Sequence, residues 1–285
     1  MSPATPSPAA RFAGGEPLVI PAAPGCACTA TLHRAARADA PLVLHLHGGA
    51  FVSAPPAPLP CVARLLRDAG ATVVSLDYPL APRHPFPQGV EAAYGTLRWL
   101  HGQRRRLAGA HARLFVAGEE AGGNLAAAAS LMARDRGEPP LAGQVLFSPM
   151  LDVCVATASL RDAHAGPVGC RYADGWRQYL PRAADALHPY ATPGSAARLA
   201  GLPPTLLVTA RDDPSRDEAA AFARRMRAEG VPVEQLTLAP PTGFPAAYMQ
   251  AHAGADAAWV EAVREPLRRF LAASPNDRPS RSPQP

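Results

Sequence analysis

Val116-Ala117-Gly118-Glu119-Glu120-Ala121-Gly122-Gly123-Asn124-Leu125 reads as a strand, a sharp turn and the start of an Ala-rich helix. The apolar residues leading into Gly118 suit a strand buried on both faces, and the alanines after Leu125 favour a helix because they lose no side-chain entropy in it. Gly118 and Gly122 stand two positions either side of Glu120, where the missing side chains leave room for a tight reversal with residue 120 at its apex. A strand handing over to a helix in this way belongs to a sheet whose ligands sit at the carboxyl ends of parallel strands.

The same alternation repeats on both sides of this stretch. Apolar runs at 41–47 (PLVLHLH), 71–78 (ATVVSLDY), 113–118 (RLFVAG), 143–149 (GQVLFSP), 204–210 (PTLLVTA) and 233–239 (VEQLTLA) predict strands. Helical patterns at 61–70, 90–103, 121–137, 217–230 and 255–273 separate them, and several close on glycine. The expectation is an α/β fold with a mostly parallel sheet covered by helices on both faces. Residues 155–200 interrupt the alternation with an irregular insertion expected to form a lid. Residues 1–15 and 273–285 are rich in Pro, Ser, Ala and Gly without apolar periodicity and are expected to be disordered, leaving one domain over 16–272.

Composition narrows the function. With 48% hydrophobic residues among 285, a single domain of this size can bury roughly three quarters of its unfolded surface without disulfide or metal staples. All 28 basic residues are arginine, so Schiff-base, phosphate-loop and kinase lysine chemistry are excluded. The arginines are dispersed, and the triplet Arg104 to Arg106 reads as a solvated face, so no nucleic-acid partner is expected. An odd count of five cysteines without a Cys-x-x-Cys pair, no leader-like start and no long apolar stretch predict a reduced, cytoplasmic protein that does not enter membranes.

Four further segments carry the functional signal: His47-Gly48-Gly49-Ala50-Phe51 directly after a strand, the proline-dense run Asp77-Tyr78-Pro79-Leu80-Ala81-Pro82-Arg83-His84-Pro85-Phe86-Pro87, the turn Asp213-Pro214-Ser215-Arg216-Asp217-Glu218, and Thr242-Gly243-Phe244. Together with the elbow at Glu120, and in this order, they resemble the α/β-hydrolase fold, specifically the hormone-sensitive-lipase-like carboxylesterases. That family carries a His-Gly-Gly-Gly loop, an Asp-Tyr-Arg-Leu-Ala-Pro-Glu-His-Pro-Phe-Pro run, a Gly-Asp-Ser-Ala-Gly-Gly elbow, an Asp-Pro-Leu-x-Asp-Glu turn and a late His-Gly-Phe. The resemblance runs from about residue 16 to 270 and includes Tyr179-Leu180-Pro181 and His188-Pro189-Tyr190 at the end of the lid. It implies oxyanion-binding amides at Gly48, Gly49 and Ala121, and triad positions at 120, 213 and 242.

Two of the three triad positions depart from the family: Glu120 stands where the esterases have Ser, and Thr242 where they have the base His, while Asp213 keeps the acid. Triad chemistry needs a nucleophile deprotonated by a base within hydrogen-bond reach. A carboxylate attacking an ester gives an anhydride, and an alkyl ester of Glu120 would need an activated water for release. The expected function is therefore a pseudo-esterase that binds a small acyl or hydrophobic ligand. The alternatives are a lyase or isomerase using Glu120 as acid or base, and a residual ester hydrolase using another base.

Plainer roles stay open beside these. Glu120 can simply cap the helix beginning at Ala121, its charge favoured by the helix terminus and opposed by burial and by Asp213. Asp213 can serve its own turn by accepting amide bonds. His47 and His84 read as architectural, His252 as a remote candidate base, and Ser148 as a strand-end hydroxyl that could replace the nucleophile. Two carboxylates without His or Cys ligands make a poor metal site, so no metal and no cofactor are expected. Pro79 and Arg83 stand where the family has Arg and Glu, removing a supporting ion pair. Few residues precede the first strand, which predicts an open pocket. The chain is expected to be a monomer, or a homodimer through the edge strand at 233–239 as in relatives.

Overall fold

The computed structural model describes residues 15–23, 26–55, 59–162, 166–249 and 258–273. In chain order its elements are β1 (Glu16–Ala23), β2 (Cys26–His33), β3 (Leu42–Leu46), α1 (Cys61–Asp68), β4 (Thr72–Leu76), α2 (Gln88–Leu107), β5 (Leu114–Glu119), α3 (Ala121–Arg136), β6 (Gly143–Phe147), α4 (Ala158–Arg161), α5 (Gly166–Tyr179), β7 (Thr205–Ala210), α6 (Arg216–Ala228), β8 (Val233–Leu238), α7 (Ala246–Met249) and α8 (Ala258–Ala272), with 3-10 turns at Ala183–Leu187 and Pro193–Ser195.

The strands form one sheet in the order β1-β2-β4-β3-β5-β6-β7-β8. β1 and β2 pair antiparallel, as do β2 and β4, and every pairing from β4 to β8 is parallel. All five residues of each of β3, β4 and β6 are buried. Alternation along the strands divides their side chains between two cores. Leu42, Leu44, Leu46 and Val116 meet α2 and α3 through Val90, Leu97, Leu125 and Leu131. On the opposite face Val43, Phe115, Val145 and Val208 meet α1 and α8 through Val62, Leu66, Val263 and Leu267. Each such side chain contributes roughly 2 kcal/mol of burial.

Two features were not visible in the apolar runs. The hairpin β1/β2 has solvent on one side: Val19 is 70% exposed while its neighbour Ile20 is fully buried, so it lacks a continuous apolar run. The insertion at 155–200 is largely helical rather than irregular. Tyr172, Trp176 and Tyr179 are buried at helical spacing along α5, a period that Gly166, Gly169 and Gly175 disguise. The terminal segments expected to be disordered lie outside the described residues, apart from Gly15 and Ala273.

The elbow is locked by contact with β3. A Cβ added to Gly122 would stand 1.9 Å from the Leu46 carbonyl oxygen and 2.5 Å from that of His47. Only glycine lets α3 lie this close to the strand end, and that approach sets residue 120 beside the loop that follows β3.

Candidate active site

Glu120 adopts φ 56° and ψ −116°, a positive φ that costs a non-glycine residue on the order of 1–3 kcal/mol. The strain is held by backbone bonds: the Glu120 amide donates to Phe147 O at 3.0 Å, and its carbonyl accepts from Asn124 N at 3.1 Å and Met150 N at 3.0 Å. Asn124 adds side-chain bonds to the carbonyls of Met150 and Ala191, tying the first turn of α3 to the start and end of the lid segment.

The Glu120 carboxylate does not cap α3, contrary to that expectation. It turns to the glycine loop instead, where Oε2 accepts the Gly49 N–H at 2.9 Å and Oε1 accepts from Arg171 Nη2 at 2.9 Å. Glu120 is wholly buried, and burial pushes its pKa up against the lowering pull of Arg171 and the Gly49 amide. The like charge that opposes its ionisation is Glu119, not Asp213 as expected. Glu119 occupies the other amide of the loop: its Oε1 accepts the Gly48 N–H at 3.1 Å, and its Oε2 lies 2.9 Å from His45 Nε2, whose Nδ1 is 2.9 Å from Ser75 Oγ. Two adjacent carboxylates thus hold both glycine amides. A developing oxyanion would have to displace them.

The loop itself is rigid. The His47 ring stacks on Tyr78 at 4.4 Å, its Nδ1–H donates to Gly48 O at 2.7 Å, and the Tyr78 hydroxyl donates to His47 O at 2.7 Å. Burial lowers the His47 pKa, and the ring's contacts are those of an architectural residue. His84 pairs with Gln88 at 2.8 Å on the surface.

Residues of α5 pack over the glycine loop. A Cβ added to Gly175 would stand 2.3 Å from Ala50 O, so α5 rests directly on the glycine loop. Phe51 stacks on Tyr179 at 4.0 Å and meets Trp176 at 5.0 Å, and Phe86 meets Tyr179 edge-on at 5.9 Å.

Asp213 follows β7 and is buried, its Oδ1 accepting the Ser215 amide at 2.9 Å, the turn role expected of it. Its Oδ2 has no well-directed hydrogen bond among the described residues; the Ser148 hydroxyl, shared with Tyr248 at 2.9 Å, is the neighbour that draws its pKa down. Burial prevails and lifts the carboxyl to about 6. Between about 4 and 6 the folded state therefore holds more protons than the unfolded chain, so this group's contribution is present at low pH and lost as pH rises through that window, by up to about 3 kcal/mol. Asp213→Asn should be more stable than wild type at pH 7.5 and indistinguishable from it below pH 4 in urea unfolding. A wild type whose stability climbs between pH 4 and 6 while the variant stays flat would reverse the sign.

Thr242 does not reach Asp213 by a hydrogen bond. Its amide and hydroxyl both donate to Asp212, at 2.8 and 2.9 Å, forming a closed turn. Tyr172 of α5 lies within electrostatic reach of both Glu120 and Asp213, which with burial push its pKa well up, and its hydroxyl has no well-directed partner among the described residues. His252 lies outside the described residues. Among the described residues no group of three His, Cys, Asp or Glu could hold a metal ion, and no helix is long and apolar enough to cross a membrane.

Sequence reasoning missed Arg171, Tyr172 and the role of Glu119. For Glu119 a signal existed, since a second carboxylate next to the apex residue faces the same loop amides. For the two lid residues nothing in the lid's spacing fixes which side chain reaches the elbow.

Residues 43–238, more than half of the chain, match the alpha/beta hydrolase fold family. The chain is 36% identical over 202 residues to Esterase LipI of Mycobacterium tuberculosis, covering 70% of this chain and 63% of that protein. It is 30% identical over 202 residues to Gibberellin receptor GID1 of Oryza sativa subsp. japonica, covering 67% of this chain and 56% of the receptor. It thus spans less than two thirds of the length of these curated relatives. The crystal structure of EstE1, a thermophilic carboxylesterase cloned from a metagenomic library, superposes with TM-score 0.79 and 34% identity, covering 92% of this chain and 90% of EstE1. Family match and sheet topology agree that the chain belongs to the alpha/beta hydrolase fold family, in its hormone-sensitive-lipase-like branch of esterases.

Proposed function

We propose that this protein binds a small acyl or hydrophobic ligand at the elbow site without hydrolysing it. The observation that carries the reading is the Glu120 carboxylate seated between the Gly49 amide and Arg171. In the esterases the sequence resembles, the position of Glu120 carries the nucleophilic Ser and that of Thr242 the base His. Here the apex residue has no hydroxyl to attack an ester carbonyl, and the hydroxyl of Thr242 is committed to Asp212. Acyl transfer lacks both the nucleophile and the group that would deprotonate it. A relative named as a receptor is in keeping with a binding role on this fold.

The test is native mass spectrometry of the purified protein, followed by thermal-shift titration with short-chain carboxylic acids, their esters and their amides. The expected result is a saturable rise in melting temperature with ligands recovered unchanged after long incubation. Release of free acid from an added ester or amide would overturn the binding reading. A second reading is favoured by the lifted Asp213 and Glu120 carboxyls around the Tyr172 hydroxyl. Such groups suit proton transfer in an elimination or isomerisation. Conversion of a ligand to an isomer, or to one lacking water, would select it.

A further inference from the structure

Arg171 meets Glu120 by one nitrogen only. Nη2 donates to Oε1 at 2.9 Å, while Nε of the same guanidinium is buried and has no hydrogen-bond partner among the described residues. The Nε–Nη2 edge is the one that grips a carboxylate by two parallel bonds, so the strongest donor pair in the site is half used. The Tyr172 hydroxyl, on the neighbouring residue and 1% exposed, has the Ser215 hydroxyl beside it but no well-directed bond. The Arg171 side chain as a whole is 40% exposed, but an N–H that is itself buried and unsatisfied is costly, more so when it is charged. Such a cost invites an occupant that supplies two acceptor oxygens.

We infer that the Arg171 Nε–Nη2 edge and the Gly49 N–H form a carboxylate-binding subsite, filled from within by Glu120, and that the ligand class of the site is a free carboxylic acid rather than its ester. The inference rests on the binding role proposed above and sharpens it. A neutral ester offers the guanidinium one weak carbonyl acceptor, whereas a carboxylate offers two charged oxygens at the spacing of the fork. Glu120 is then an internal competitor. Ligand entry requires the side chain to leave the Gly49 amide, and its removal should expose the subsite to small acids from solution.

The experiment is a rescue titration. Glu120→Ala is heated in increasing sodium butyrate at constant ionic strength, with sodium chloride and ethyl butyrate as controls, alongside wild type and the double variant Glu120→Ala with Arg171→Met. The expected result is a melting temperature of Glu120→Ala that rises by about 3 °C at ten times the dissociation constant, saturates, and is specific to butyrate. Wild type should need at least tenfold more butyrate, and the double variant should lose the response. Isotope-edited NMR of labelled butyrate reports the same binding without relying on stability, and Glu120→Ser replaces Glu120→Ala if the latter does not fold. Equal responses to butyrate and chloride, an ester that binds as well as the acid, or a double variant that still responds would each overturn the subsite. Ester turnover by wild type would instead overturn the non-hydrolytic reading and leave the rescue result standing, so the two failures are separable.

Discussion

Glu120→Ser combined with Thr242→His is expected to hydrolyse p-nitrophenyl acetate at least about 100-fold faster than either single variant, because residues that act as a unit contribute almost nothing alone. Glu120→Ser releases the Gly49 amide that the carboxylate now occupies, returning an oxyanion donor to the site. Thr242→His replaces a hydroxyl that bonds Asp212 and the Phe244 amide, and Asp213 Oδ2 is a buried acceptor without a well-directed bond. An imidazole there would orient on Asp213 and draw that carboxyl back below its lifted value. Adding Asp213→Asn should then remove most of the gain by favouring the wrong tautomer. Burst and steady-state kinetics check this. A folded double variant without burst or turnover would show that Glu119 on Gly48, or the aromatic packing of α5, keeps the site closed even after the reacting groups return.

Gly122→Val is expected to destabilise the protein by about 3–5 kcal/mol, against about 1 kcal/mol for an ordinary substitution. The mechanism is backbone overlap. A Cβ at position 122 meets the Leu46 carbonyl oxygen at 1.9 Å, and neither atom belongs to a flexible side chain that could swing away. Relief requires α3 to move off β3, which strips contacts from a helix buried from Ala121 to Ala133 and releases the strained φ of Glu120. Chemical denaturation measures the effect. An unchanged midpoint would mean that residues 116–125 do not form the elbow.

How much of this could be read in the sequence depended on burial. The parallel strands were legible because both faces are covered, which leaves apolar residues nearly continuous from Leu42 to Leu46 and from Thr205 to Ala210. The β1/β2 hairpin was not, because its outer face meets water and interrupts the pattern. Motif order assigned Glu120, Asp213 and Thr242 to the triad positions. It could not say where each side chain turns, since rotamer and partner are tertiary properties. Glu120 caps no helix, and Thr242 serves Asp212 rather than Asp213. The lid was hardest to read. Its glycines lower helix propensity, yet one of them, Gly175, lets α5 rest on Ala50, and Arg171 of the same helix reaches Glu120.

The most direct measurement is hydrolysis of p-nitrophenyl butyrate by the wild-type protein, followed to high substrate concentration beside a Glu120→Ala variant. With Glu120 on the Gly49 amide and no base at Thr242, the expected result is a slow, non-saturating release that is the same for both proteins and no greater than that of an unrelated protein surface. Saturable turnover by wild type that Glu120→Ala abolishes would contradict it.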